Sequence, residues 1–146
     1  MTHDHALEIV EQSLPVAYPP KQSEFTRTFW DGLGQGVFRT TCCEACGKFS
    51  FPPKPFCPHC WGRKVRWEAL PPMGTLYSGT TIYAAPQVFR AKAPYPVGIV
   101  DLDAGVRIAT RLLGSAPIAQ MIGRRARLVS VKFNDAYLYA ARVLED

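Results

Sequence analysis

Residues Thr41 to Gly62 read TCCEACGKFSFPPKPFCPHCWG. Cys43 and Cys46 form one C-x-x-C step followed by Gly47, Cys57 and Cys60 form a second, and ten residues separate the pairs. Four thiols delivered as two close pairs match the tetrahedral, sulfur-rich cage that a zinc ion prefers. After a ligating cysteine the chain must turn sharply, with its amides aimed back at the sulfurs. Glycine adopts the required backbone angles without steric cost. Four protein thiolates close the coordination shell, so such a site builds structure and does no Lewis-acid chemistry. A segment this short buries too little apolar area to fold alone, and a structural zinc ion supplies the missing stability, on the order of 10 kcal/mol. The expectation is one structural zinc per chain. Iron in the same cage would make an electron carrier, and the residues alone do not separate the two metals.

Two neighbours of the quartet need a decision. Cys42 also lies within reach of Cys46, but Cys43 makes the two knuckles alike and is the preferred ligand. His59 sits inside the second knuckle, where a side chain normally points away from the metal. Disulfides are the competing use of such cysteines in exported chains. The opening residues, MTHDHALEIVEQSLPV, lack a leading Lys or Arg and a long apolar core, so they do not read as a secretory signal. No run approaches the ~18 apolar residues that a membrane span needs. The expectation is a cytoplasmic protein with reduced thiols. His3 and His5 lie in a polar N-terminal stretch with nothing beside them to complete a metal site.

Working back from the knuckles, Val37 to Thr41 reads as a strand. Ser23 to Leu33 reads as an amphipathic helix: Phe25, Phe29 and Leu33 recur every four residues beside Trp30, while Glu24, Arg27 and Asp31 take the other face. Ser23 is placed to cap it, and Gly34 or Gly36 to end it. That aromatic face fits packing on the chain and docking on a partner equally well. Before it, Pro15, Pro19 and Pro20 end any short helix begun over Ala6 to Leu14.

Working forward, Phe49 to Phe56 is a Pro-rich hairpin or loop, and from Met73 the texture changes to short strands. Gly74 to Tyr83, Pro96 to Leu102, Val106 to Leu113, Ala126 to Phe133 and Ala136 to Leu144 each read as one. The third alternates clearly, with Val106, Ile108, Thr110 and Leu112 on one face. Asp103-Ala104-Gly105 is a tight turn, and Ser115 to Ile122 a short helix or connector. Five strands with a connector after the third predict a small Greek-key barrel of the OB type. The fold class is therefore mainly β: an N-terminal tail and helix over 1–36, a zinc ribbon over 37–68 and a five-stranded OB barrel over 69–146.

Charge and motifs limit the function. The formal net charge is +5, and a zinc ion held by four thiolates contributes about −2, leaving the folded chain at about +3. The cations are scattered as Arg63, Lys64 and Arg66, then Arg90 and Lys92, then Arg124, Arg125 and Arg127. A phosphate backbone requires a denser stripe. There is no G-x-S-x-G elbow and no P-loop. Cys42 has no base near it in the sequence, and Asp101 and Asp103 fit a role in fixing a turn. The chain by itself does not read as an enzyme.

The runs FWDGLGQGVFRTTCCEACGKFSFPPKPFCPHCW and PYPVGIVDLDAGVRIATRLLG resemble the OB-fold, acyl-CoA-associated proteins that carry a rubredoxin-like zinc ribbon. The resemblance extends from about Phe25 to the C-terminus. It implies a small non-catalytic subunit that partners a thiolase-like, ketosynthase-like or hydratase enzyme and helps to bind or position an acyl-CoA thioester. Trp61 departs from it, standing where the second knuckle more often has glycine, and Cys42 is extra. CoA needs cations at one end and an apolar groove at the other. Arg90 and Lys92 in the Pro86 to Tyr95 loop, with Lys54 beyond Phe51-Pro52-Pro53, are the candidate CoA contacts. A nucleic-acid-binding OB module is the alternative reading, and a rubredoxin-like electron carrier the third.

Overall fold

In the computed structural model the described residues are 5–12, 20–84, 94–114 and 116–144. The C-terminal strands are β5 (Met73–Ile82), β6 (Tyr95–Leu102), β7 (Arg107–Leu113), β8 (Arg125–Lys132) and β9 (Tyr137–Val143). They run in the order β8-β5-β6-β7-β9, and β8 pairs with β9 to close the barrel. The seam between β7 and β9 is parallel, with Leu112 opposite Ala141, while the other barrel pairings are antiparallel. The short helix α2 (Ile118–Met121) joins β7 to β8. This is the OB barrel that the strand spacing predicts. Val106, Ile108, Thr110 and Leu112 are buried, while Arg107, Ala109 and Arg111 face out, because one face of a strand fills the barrel.

The ribbon is a three-stranded sheet in the order β3-β2-β4, built from β2 (Arg39–Cys43), β3 (Phe49–Ser50) and β4 (Val65–Ala69). Both outer strands are antiparallel to β2. Ribbon and barrel meet through helix α1 (Arg27–Gly34). The Phe29 ring makes edge contacts with Phe38, Phe51 and Tyr139 at centroid distances of 5.0, 5.3 and 5.9 Å. Phe29 and Leu33 are buried and Phe25 packs on Trp67, so the aromatic face of α1 belongs to the chain's own core. Packing, not docking, uses it. Ser23 caps the helical turn that leads into α1, its carbonyl accepting the Arg27 amide at 3.0 Å. It exchanges hydrogen bonds with Thr26 in that turn, donating its amide to Thr26 Oγ1 at 2.9 Å and accepting the Thr26 amide on Oγ at 3.1 Å.

The N-terminal segment corrects the sequence reading. Residues Glu8–Glu11 form a strand, β1, that lies parallel to β8. The cause is an edge left open. β5 covers β8 only at Arg125, Ala126 and Arg127, and β1 takes the same edge at Val129 to Lys132. Unpaired strand edges favour any chain that can add to them, and Arg142 fastens the addition by bonding Glu8 at 2.8 Å. Among the described residues, no helix is long and apolar enough to cross a membrane.

Candidate metal centre and ligand-facing surfaces

The two knuckles share a backbone plan. In the first, the Cys43 amide donates to Lys48 O and the Gly47 amide to Cys43 O; in the second, the Cys57 amide donates to Gly62 O and the Trp61 amide to Cys57 O. Gly47 and Trp61 occupy equivalent positions at φ 74° and 64°. Amides also point back at the sulfurs, from Cys46 to Cys43 Sγ at 3.5 Å and from His59 to Cys57 Sγ at 3.4 Å. Gly62 is needed for a different reason: a Cβ there would stand 3.3 Å from Cys60 Sγ and 3.5 Å from Cys43 Sγ.

Cys43, Cys46, Cys57 and Cys60 place their sulfurs within 4.8 Å of one another. The Cys43–Cys60 and Cys46–Cys57 separations are each 3.6 Å. A Zn–S bond of about 2.3 Å sets tetrahedral sulfurs about 3.8 Å apart, so the spacing fits. The electrostatics fit as well. The Cys46 amide above all pulls the Cys43 thiol down to about 6. The Gly62 amide favours the Cys60 thiolate, but Cys43, burial, Cys46 and Cys57 outweigh it and push that thiol up to about 11. Four thiolates this close repel one another, and a divalent cation is what permits all of them to ionise. The four cysteines are grouped as a tetrahedral metal site requires, with four sulfur donors facing one point.

Cys42 stands outside the quartet. It is buried, donates to Gly47 O at 3.4 Å, and its thiol is raised first by burial and then by Glu68, against the pull of Arg66. His59 is exposed and does not join the sulfurs. Of the three candidate CoA contacts, Arg90 and Lys92 lie outside the described residues. Lys54 lines a cleft of about 190 Å³ between ribbon and barrel, together with His59 and Arg107. Its backbone amide is fixed by Thr41 Oγ1 at 3.1 Å.

A larger recess lies on the outward face of β5, β6 and β7. It is a groove of about 600 Å³ whose walls include Ile82, Tyr95, Val97, Ile99 and Ala109. Ile82 stands opposite Tyr95, and Ile99 opposite Ala109, so these outward side chains share one face. Two arginines of β7 flank Ala109: Arg107 lies over the Tyr77 ring at 4.1 Å and Arg111 over Tyr95 at 5.3 Å. Volumes of 300–1,000 Å³ with mainly apolar walls are typical of small-molecule sites. Sequence reasoning passed over this face. Its signal was the run PVGIVDL, in which both faces of β6 carry aliphatic side chains although only one fills the barrel.

Comparison with known proteins agrees with this architecture. A family model described as the ChsH2 rubredoxin-like zinc ribbon domain matches residues 30–66, and one described as the ChsH2 C-terminal OB-fold domain matches residues 67–131. A DUF35 domain-containing scaffold protein of Methanothermobacter thermautotrophicus is 32% identical over 95 residues, 64% of this chain and 71% of the relative. The benzoylsuccinyl-CoA thiolase subunit BbsA of Thauera aromatica is 34% identical over 73 residues, 50% of this chain and 49% of that one. Three further relatives, two of them named as hydratase alpha subunits, are spanned by this chain over 62%, 25% and 38% of their own lengths. Among solved structures, one described as an Ltp2-ChsH2(DUF35) aldolase superposes with a TM-score of 0.74 at 26% identity, covering 86% of this chain and 98% of that one.

Proposed function

The chain belongs to the ChsH2-type DUF35 family, and on that footing we propose that it is a non-catalytic accessory subunit of an acyl-CoA-processing complex. It would hold one structural zinc ion through Cys43, Cys46, Cys57 and Cys60. It would also help to position an acyl-CoA thioester for a thiolase-like, ketosynthase-like or hydratase partner. Zinc is favoured over iron because the matched ribbon model is a zinc ribbon. Bound there, the ion supplies folding energy and no chemistry, since four thiolates complete its shell. The proposed setting is the cytoplasm, where thiols stay reduced.

The observation that carries this reading is a ligand-sized groove without a reacting group. Among the described residues its lining is aliphatic side chains, Tyr95, the hydroxyl residues Ser78, Thr80 and Thr110, and Arg111, with no histidine, cysteine or carboxylate. Thioester chemistry needs a nucleophile or a base held against the reacting carbon. Hydroxyls need an adjacent base to attack a thioester, and the described lining offers an apolar seat and a cation without one, which supports a positioning role beside a partner that supplies the chemistry. The alternative, a nucleic-acid-binding module, gains nothing from this face, because bases require a row of aromatic platforms and the walls here are mostly aliphatic.

The test is turnover of acyl-CoA by the copurified catalytic subunit, with and without this chain. Addition of the chain should raise turnover tenfold or more, and the chain alone should show none. A partner that is equally active alone, or thioester turnover by the isolated chain, would make the accessory-subunit reading wrong.

A further inference from the structure

Trp61 carries two costs that a glycine at the same place would avoid. Its backbone sits at φ 64°, in the left-handed region that disfavours bulky side chains, where the first knuckle uses Gly47. Its indole is 73% exposed, so it removes little apolar area from water. The arrangement does build a flat aromatic platform. The Trp61 and Phe56 rings stack with centroids 5.8 Å apart and planes 8° from parallel. With Pro55 and Arg63 they line an open recess of about 480 Å³ at the tip of the ribbon. The Arg63 guanidinium has no carboxylate or hydrogen-bond partner among the described residues.

Charge around the platform selects the ligand. Between residues 41 and 66 the sequence has Lys48, Lys54, Arg63, Lys64 and Arg66 against Glu44 alone. Four thiolates and a divalent ion contribute about −2 and leave that stretch positive. Polar and basic residues also continue inward. His59, from the same knuckle as Trp61, shares the cleft with Lys54 and Arg107, and Arg107 stands two residues from Ala109 in the apolar groove.

We propose that the Trp61–Phe56 platform is a nucleotide subsite, taking a purine ring on the open side of the indole and a phosphate on Arg63. It rests on the acyl-CoA reading and extends it: the ligand's nucleotide end lies on the ribbon tip, its diphosphate passes the Lys54, His59 and Arg107 cleft, and its acyl end reaches the barrel groove. One platform at a ribbon tip holds one base; a strand needs several in a row.

The probe is adenosine 3′,5′-bisphosphate, titrated calorimetrically into the full zinc-loaded chain and followed in parallel by indole fluorescence. Wild type should bind saturably. Trp61→Gly should weaken binding about 5- to 150-fold, the range that stacking a base on an aromatic ring supplies, while Trp61→Phe should keep most of it. Arg63→Glu should weaken binding and flatten its salt dependence. Trp61→Gly copies the Gly47 geometry, so zinc content and melting should remain those of a folded chain. Three results would overturn the subsite: no binding by wild type at millimolar probe, equal binding by Trp61→Gly, or far tighter binding of a short oligodeoxyadenylate than of the bisphosphate. A parallel titration with octanoyl-CoA separates the two levels of the argument. Unchanged octanoyl-CoA affinity in Trp61→Gly removes the subsite and leaves the acyl-CoA reading standing. Bisphosphate binding that needs Trp61, without any affinity for octanoyl-CoA, does the reverse.

Discussion

Replacing Phe29 by alanine tests whether α1 is an internal fastener. The ring is 2% exposed and sits among Trp30, Phe38, Phe51 and Tyr139, with centroids at 4.8, 5.0, 5.3 and 5.9 Å. Phenylalanine-to-alanine changes in cores cost about 3–5 kcal/mol, more where the surroundings cannot collapse. Here the surroundings are stiff aromatic rings from α1 (Trp30), β9 (Tyr139) and the segments just before β2 (Phe38) and just after β3 (Phe51), and each lost ring–ring contact removes about 0.5–1.5 kcal/mol beyond area burial. The upper part of that range, about 4–5 kcal/mol, is expected. Total stability for a domain is about 5–15 kcal/mol, so the variant should unfold at much lower denaturant. The assay is urea unfolding of the zinc-loaded chain by circular dichroism, wild type against Phe29→Ala, with equal slopes confirming a stability effect. Phe51 is in the ribbon segment and Tyr139 in β9, so loss of zinc to a chelator should also accelerate. A loss below about 1 kcal/mol with unchanged zinc retention would show that the ring is not a fastener, and the docking interpretation of this helix would return.

Two further outcomes follow from the site and the hairpin. Metal analysis of the desalted protein should give about one zinc per chain; Cys46→Ser should lose most of it, whereas Cys42→Ser should keep all of it and lose only about 1 kcal/mol for its buried hydrogen bond. The Arg125 guanidinium, by hydrogen bond first and by charge, holds the Asp103 carboxyl below its usual 3.8. A depressed folded-state value means that the pair stabilises the fold above the ordinary carboxylate range and ceases to do so as pH falls through the depressed value. Both side chains are about half exposed, so the effect should be under about 1 kcal/mol. The difference in unfolding free energy between wild type and Asp103→Asn should shrink on acidification, and a difference that grows would reverse the sign of the argument.

The features legible in the sequence were those whose cause is local. Two C-x-x-C steps fix sulfur positions through the turn that each makes, and the alternation from Val106 to Leu112 fixes one strand face whatever lies opposite. β1 had no such local cause. Glu-Ile-Val-Glu is short and fits several conformations, and what decides it is an edge of β8 more than a hundred residues away that β5 leaves uncovered. The helix face at Phe29 and Leu33 was legible as a face, but periodicity does not say what covers it. Ser23 was legible as a cap for a local reason, and its hydroxyl does accept the amide three residues on, at Thr26, in the turn that leads into α1. Trp61 was legible as a departure from glycine. Its left-handed backbone and its stack on Phe56 were not, since both depend on the second knuckle copying the first.

The proposed structural metal would govern the surfaces proposed to meet a ligand, because the same short segments build both. β2 ends at Cys43, and two residues earlier Thr41 holds the amide of Lys54, so the ligand that anchors the first knuckle also sets the strand that places one cation of the cleft. The second knuckle is tighter still. Phe56 precedes Cys57 directly, Trp61 follows Cys60 directly, and His59 lies between them, so the platform and another polar residue of the cleft are carried beside the two ligands themselves. The left-handed turn at Trp61 persists because the sulfurs and amides around it over-determine the backbone; strain of this kind survives only in such surroundings. Coordination energy, on the order of 10 kcal/mol for structural zinc, is ample to hold a conformation that disfavours tryptophan by about 1–2 kcal/mol. On the proposed reading the cage would act on a ligand through geometry alone, by fixing where an indole, Lys54 and Arg63 stand relative to the apolar groove of the barrel.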